Sequence, residues 1–247
     1  MLRSMFSAVS GLRSHQTMMD VTGNNVANVN TAGYKATRTT FQETLTQVVR
    51  GGAAGGAANG GVNPMQLGLG SGVAATDLIF TQGASQITGR ATDVAIQGDG
   101  FFVVQDAAGG NFYARGGAFN VDNAGNLVNP EGLRVVGANG PINLGTDATD
   151  IAIGPNGVIT GKVAGAAQDL GQIALARFPN PGGLTRVGNG LYEAGDAAGD
   201  AIVGTPGDAN GLGSLQAGTL EMSNVDLASE FTNLILAQRG FQANSRT

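Results

Sequence analysis

The sequence has no cysteine, no tryptophan and a single histidine, His15, in 247 residues. Without cysteine there is no disulfide framework and no cysteine-ligated zinc. A Ser-His-Asp arrangement would have to use His15, which falls beside the apolar stripe of a helical pattern, and no Gly-x-Ser-x-Gly nucleophile elbow is present. No His/Asp/Glu cluster has metal-ligand spacing. Charge is also scarce: charged residues make up 13% of the chain, about half the usual share of roughly 25%. The net charge of −5 comes without any Lys/Arg cluster, which argues against nucleic-acid binding by counterion release. No apolar run reaches the ~18 residues that span a bilayer, so direct membrane insertion is not expected. The opening Met1-Leu2-Arg3-Ser4-Met5-Phe6 lacks a continuous apolar h-region. A cleaved signal peptide is therefore not expected, and an extracellular destination would need another export route. These absences leave a non-enzymatic protein with no cofactor as the expectation.

What is abundant is glycine, with 42 residues, mostly between the two ends of the chain. The first segment reads as an amphipathic helix of about 28 residues. Leu2, Met5, Val9, Leu12, Met19 and Val26 recur in steps of three and four, with Gln16 and Gly23 at the vacant positions, a heptad-like seam. Phe6 widens the stripe. The last segment behaves alike. Ser223 and Asp226 form a capping-box pattern, and Leu220, Asn224, Leu227, Phe231, Leu234, Gln238 and Phe241 step by four and three. This pattern runs to Thr247 without a stop signal, the reading for a truncated or frayed end.

From about residue 85 to 215 the pattern changes to short apolar runs at roughly 8–12-residue intervals, the spacing of an all-β domain. Gly98-Asp99-Gly100, Asn123-Ala124-Gly125 and Gly154-Pro155-Asn156-Gly157 separate such runs and supply the residues hairpin turns require. Ile173, Leu175 and Arg177 are placed on one face of a strand, with Ala174, Ala176 and Phe178 on the other. Gly51 to Gly61, rich in Gly and Ala, reads as a flexible linker. Gly68-Leu69-Gly70-Ser71-Gly72 lacks both phosphate-loop spacings and reads as a tight turn. The stretch Asp196 to Asp208 lacks the calcium-loop pattern and reads as a solvated loop.

The expected fold is mixed α and β and discontinuous: terminal amphipathic helices in a coiled-coil-like inner layer, plus a mainly antiparallel β domain. Residues 1–31 with 219–247 are the terminal helices, 32–84 an extended Gly-rich linker, and 85–218 the β-rich domain. A helix of that length at 1.5 Å per residue reaches roughly 42 Å, long for a domain with a β core and suited to a stalk or filament. The assembly seam is expected at Leu2, Met5, Phe6, Val9, Leu12, Met19, Val26, Leu220, Leu227, Phe231, Leu234 and Phe241.

Four stretches, in order along the chain, resemble the flagellar rod and hook protein family. Gly23 to Lys35 is similar to the family's N-terminal motif, carried by Asn24, Asn25, Asn28, Asn30, Gly33 and Lys35. Asp93 to Val104 resembles its β-hairpin motif, carried by Gly98, Gly100, Phe101 and Phe102. Leu220 to Leu227, with Asn224 and Asp226, and Ala237 to Ser245, with Gln238 and Arg239, resemble its C-terminal helix. Within the family the opening Met1 to Met5 and the two C-terminal stretches look more like hook than distal-rod members. The space between Val136 and Ile173 is too short for the outer domain many hook proteins carry.

The resemblance implies a minimal hook subunit that polymerises with itself into a bendable tube coupling rod to filament and transmitting torque. The implied partners are its own copies, the adjacent rod and hook–filament junction proteins, the export apparatus and the hook cap. The implied location is the extracellular flagellar hook or basal body, reached without a cleaved signal peptide. A distal rod protein is the alternative within the family. A secreted β-rich adhesin or binding module is the alternative outside it; that reading explains the turns but not two matched terminal helices. Family chains usually continue several helical turns past the Asn-Ser match, where this sequence stops.

Overall fold

The computed structural model describes residues 2–56, 60–146, 148–163, 166–208 and 211–246; the side chain of Leu2 lies outside the described residues, as does the Ala57–Asn59 part of the glycine-rich stretch. The chain divides into two compact units. The first comprises Met1–Ala27, Thr37–Ile79 and Asp226–Thr247, the second Asn28–Ala36 and Phe80–Val225. Helices at both ends of the chain and a mainly antiparallel β region between them agree with the mixed α and β fold class expected from the sequence, whereas the β unit, expected as continuous, also takes in Asn28–Ala36.

The helix-containing unit is built from α1 (Leu2–Ala27), β1 (Thr37–Glu43), β2 (Thr46–Arg50), β3 (Met65–Gly68), β4 (Ser71–Leu78) and α2 (Leu227–Ser245). Serine and threonine are tolerated inside α1 because their hydroxyls bond back to the preceding turn: Ser10 Oγ donates to Ser7 O at 2.7 Å, Ser14 Oγ to Ser10 O at 3.0 Å and Thr17 Oγ1 to Arg13 O at 3.1 Å. The start of α2 differs from the capping box expected at Ser223. The N-cap is Asp226, whose side chain accepts from Ala228 N at 3.0 Å and satisfies one orphan donor of the first turn. Residues 219–226, read as helix, lie outside it: Leu220 belongs to a strand and Asn224 to a connection.

The stretch read as an extended linker is instead a nested pair of antiparallel ladders. β1 pairs with β4 from Thr37↔Leu78 to Glu43↔Ser71, and β2 pairs with β3 from Thr46↔Gly68 to Arg50↔Met65. Val48, Val49, Met65 and Leu67 have the β-branched or long apolar side chains that suit strands, and a ladder satisfies backbone groups that a linker would leave to water. Beyond this ladder, Ala53 and Val62 still bridge.

α1 and α2 pack against each other in one antiparallel register. The space beside Gly11 is filled by Asn244, that beside Gly240 by His15, and Asn25 bonds Glu230. Gly11, Ser14, Thr22 and Asn25 are buried on α1, and Ala237 on α2. The closely packed face is therefore small and polar.

The second unit contains β5 (Ser85–Ile87), β6 (Val94–Gln97), β7 (Phe101–Gln105), β8 (Asn111–Ala114), β9 (Asn120–Val121), β10 (Leu127–Val128), β11 (Arg134–Gly137) and β12 (Gly140–Pro141). It continues with β13 (Thr149–Ile153), β14 (Val158–Val163), β15 (Ala166–Gln172), β16 (Leu175–Arg177), β17 (Thr185–Gly188), β18 (Leu191–Glu193), β19 (Ile202–Gly204), β20 (Ser214–Ala217) and β21 (Thr219–Glu221). The main sheet runs β17-β18-β8-β7-β11-β10-β9, with β16 also on β7 and β19 on β16. β13-β14-β15 form a separate sheet, and β20-β6 and β21-β5 form two short ladders. The core is apolar and closed. Val94, Ile96, Phe102, Val104, Phe119, Leu127, Val135, Ile159, Ile173 and Leu175 are fully buried, and Phe102 meets Phe119 edge-on at 5.0 Å. Both faces expected at residues 173–178 are covered, since Ala174, Ala176 and Phe178 are buried as well.

Candidate functional site

Two features stand out from this framework: the outward faces of the helices, and a cluster of buried charges in the β unit. Because the seam between α1 and α2 uses small residues, the larger apolar side chains turn elsewhere. On α1, Met5, Phe6 and Val9 are exposed, Phe6 at 71%, while Leu12, Met19 and Val26 are half-buried. On α2, Leu227 and Phe231 are exposed, the latter at 51%, together with Ile235 and Leu236; Leu234 and Phe241 are half-buried. Phe6 and Val9 border a groove of about 510 Å³ whose other wall is Ser71–Val73 of β4. Leu220 is half-buried in β21, so it is not part of the helical stripe.

The buried cluster centres on Glu221. Its carboxylate accepts from Lys35 Nζ at 2.7 Å, from Arg115 Nε at 2.6 Å and from Gly83 N at 2.8 Å. Side chains of all three charged residues are nearly inaccessible. Lys35 also donates to Thr81 O at 2.8 Å; Arg115 donates to the carbonyls of Gly98 at 2.6 Å and of Gly100. Every strong donor is thus met by a carbonyl or carboxylate, which burial of charge requires. Burial alone would push the Glu221 carboxyl up, but the charge of Arg115, the hydrogen bond from Lys35 and the Gly83 N–H outweigh it and hold the group below its ordinary value.

The segment that brings Lys35 to this point is the Asn-rich turn. Thr31 N donates to Asn28 O at 3.1 Å and Thr31 Oγ1 to Asn28 Oδ1 at 3.1 Å. Gly33 has φ +71°, and a Cβ there would stand 2.4 Å from Gly116 N, so both conformation and space demand glycine. Tyr34 lies under the Arg186 guanidinium, 4.6 Å from its ring centre, and Arg186 Nη2 donates to Lys35 O at 2.7 Å.

The other motif residues take distinct places. Asn25 holds Thr37 by both backbone groups, at 2.7 and 3.0 Å. Asn224 accepts from Ala36 N at 2.7 Å. Phe101 and Phe102 are core residues, and Asn24, Asn30, Gln238 and Arg239 are exposed. Of the motif residues, Gly33, Lys35, Gly98 and Gly100 therefore meet at the charged cluster, while Gln238 and Arg239 are exposed on α2.

Among the described residues, no group of three His, Cys, Asp or Glu side chains is placed to hold a metal ion. No helix among them is long and apolar enough to cross a membrane.

Comparison with known proteins places the three charged partners in three separate matched segments. The family described as flagella basal body rod protein matches residues 5–35, the flagellar hook protein FlgE/F/G D1 domain matches 95–161, and the flagellar basal body rod FlgEFG protein C-terminal region matches 216–247. The flagellar basal-body rod protein FlgG of Bacillus subtilis is 47% identical, over 100% of this chain and 94% of the relative. The chain belongs to the flagellar rod and hook protein family. A second FlgG, from Agrobacterium fabrum, is 39% identical over 99% of this chain and 94% of its own. The flagellar hook protein FlgE of Borreliella burgdorferi is 29% identical over 100% of this chain and 96% of its own. As a member of this family the chain is a structural component of the flagellar rod and hook assembly.

Sequence reasoning identified Lys35 as a motif residue but missed its partner Glu221 and Arg115, which bonds the other carboxylate oxygen of Glu221. A signal was present. In a chain so poor in charge, Glu221 stands two residues after Thr219 on the inward face of a strand, and both are buried.

Proposed function

We propose that this chain is a distal-rod subunit of the flagellar axial structure and that it polymerises through the apolar faces of α1 and α2. One observation carries the choice of rod. The Bacillus subtilis rod relative pairs with this chain over 249 positions, almost its own 247 residues, whereas pairings with hook relatives stretch to 429 and 449 positions. A hook subunit, the first expectation from the opening residues and the two C-terminal stretches, is the second reading; it is favoured by hook relatives that match all of this chain. In either place the mechanism is the same. An amphipathic helix cannot bury its stripe alone, and Phe6, Val9, Phe231 and Ile235 gain burial only when another copy covers them. The partners in this reading are further copies and the axial proteins on either side, with delivery by the flagellar export apparatus.

The test is an epitope tag on the chain in purified hook–basal bodies, imaged with gold-labelled antibody. Label confined to the rod supports the proposal. Label along the hook transfers the chain to the second reading. Deleting the chain should abolish filament assembly and swimming; normal swimming without it removes both readings.

A further inference from the structure

The chain leaves the β unit at three places beyond its first turn: after Ala36, before Phe80 and after Val225. These connections are far apart in sequence, yet side chains bind them to one another at one location. Lys35 Nζ reaches Thr81 O and Glu221 Oε1, and Gly83 N donates to the same carboxylate oxygen. Asn224 completes the set: its Oδ1 accepts from Ala36 N at 2.7 Å, and its Nδ2 donates to Thr81 Oγ1 at 2.9 Å and Thr81 O at 3.2 Å. Backbone bonds reinforce it, from Gly33 N to Glu221 O and from Met222 N to Ala84 O, each 2.8 Å. Arg115 ties Glu221 to the Gly98–Gly100 turn of the β-hairpin motif.

An apolar contact of equal area would hold without direction, because hydrophobic burial is non-directional. Charge-assisted hydrogen bonds fix geometry as well as position. The β5–β21 ladder beside them spans only Thr219↔Ile87 to Glu221↔Ser85, and all three β5 residues are exposed, Ile87 at 82%, so the β5 side has little burial of its own to resist fraying.

We propose that Lys35, Glu221 and Asn224 form a single latch that fastens these three connections, and that the latch opens as one cooperative unit, separately from the apolar core of the β unit. Lys35, Glu221 and Asn224 are positioning residues: they fix where the chain enters and leaves the β unit. The proposal concerns the isolated chain and does not depend on whether the subunit sits in rod or hook.

Native-state amide hydrogen exchange of the full chain tests it. The amides of Gly33, Ala36, Gly83 and Met222 should share one protection factor, lower than that of core amides in β7 and β14. Asn224→Ala removes the acceptor of Ala36 N and the donor to Thr81, while the bonds given above for Gly33, Gly83 and Met222 N go to other residues. It should nevertheless speed exchange of all four amides at least tenfold, while β7 and β14 keep the higher protection factor. If only Ala36 responds, the connections are held independently and the latch is wrong. If the four amides already share the protection factor of β7 and β14 in the unsubstituted chain, there is one cooperative core and the latch is also wrong. Glu221→Gln should act on the same four amides; where that variant does not fold, Asn224→Ala alone decides.

Discussion

The imidazole of His15 occupies the place where a Cβ on residue 240 would stand: ring atoms lie 2.5 Å from that point, so the close approach of α1 and α2 at this step rests on Gly240. Gly inside a helix costs about 1 kcal/mol relative to Ala, and that cost is offset here by close packing. Gly240→Ala should therefore destabilise the helix-containing unit in the presence of His15. In a His15→Ala background the same change should stabilise it by up to about 1 kcal/mol. Thermal denaturation of the two single variants and the double variant measures the coupling. Additive effects would show that the helices do not meet as the structure places them.

Glu221 gives a pH-dependent prediction. Its folded carboxyl titrates below the ordinary value. The sign follows from linkage: its contribution is fully present above the unfolded pKa, about 4.3, and is lost as pH falls through the lower folded value. Asp122 is also held low, by hydrogen bonds from Asn126, so wild type alone would not isolate Glu221. Glu221→Gln does. It leaves Lys35 and Arg115 buried without their anion and should cost about 3–5 kcal/mol at neutral pH. The gap between wild type and variant in urea denaturation should narrow steadily below about pH 4.3. A gap that stays constant down to pH 2 would remove the ionic role.

How far these features could be read from sequence depended on range. Steps of three and four placed α1 and α2, and turn residues such as Asn156-Gly157 marked the β unit, because both signals are local. The helix start at Asp226 was displaced by three residues, since Ser223 offers the same local cap chemistry and only pairing of Thr219–Glu221 with β5 excludes it. The 37–78 ladders were hidden by the glycines at their centre, which resemble a linker in composition. Lys35, Arg115 and Glu221 lie far apart along the chain, and nothing in a single sequence pairs charges over such distances. The same holds for the helix seam: periodicity identified which residues are apolar, while the contact itself was made by Gly11, Ala237 and Gly240.

Asn25 makes a further test within the helix unit. Its amide bonds both backbone groups of Thr37 and also Glu230 Oε1 at 3.2 Å. Burial raises the Glu230 carboxyl, and the Asn25 hydrogen bond partly opposes this. Asn25→Ala should cost about 1–3 kcal/mol, the range for leaving buried partners unsatisfied. It should also move the Glu230 titration upward, as followed by carboxyl carbon NMR. An unchanged titration would mean that the Asn25–Glu230 bond does not persist in solution.

The sharpest prediction concerns the exposed stripes. Phe6 and Phe231 are 71% and 51% exposed, so neither contributes much to the fold of one chain. Phe6→Asp and Phe231→Asp should each leave the melting temperature of the purified chain nearly unchanged, because exposed substitutions away from special features usually lie within about 0.5 kcal/mol. In an assembled polymer the same carboxylates would be buried without a cation, at a cost of several kcal/mol at each subunit contact. The penalty recurs with every added subunit, so growth should stop. The paired measurement is calorimetry on the purified chain and electron microscopy of basal bodies from cells expressing each variant. Gln47→Asp, on an exposed strand position, serves as a control that should assemble normally. A melting temperature lowered as far as by Ile96→Asp in the β core would mean that the stripes stabilise the single chain. Normal basal bodies in the Phe6→Asp and Phe231→Asp cells would mean that subunits meet through other surfaces. Either outcome would overturn assembly through the faces of α1 and α2.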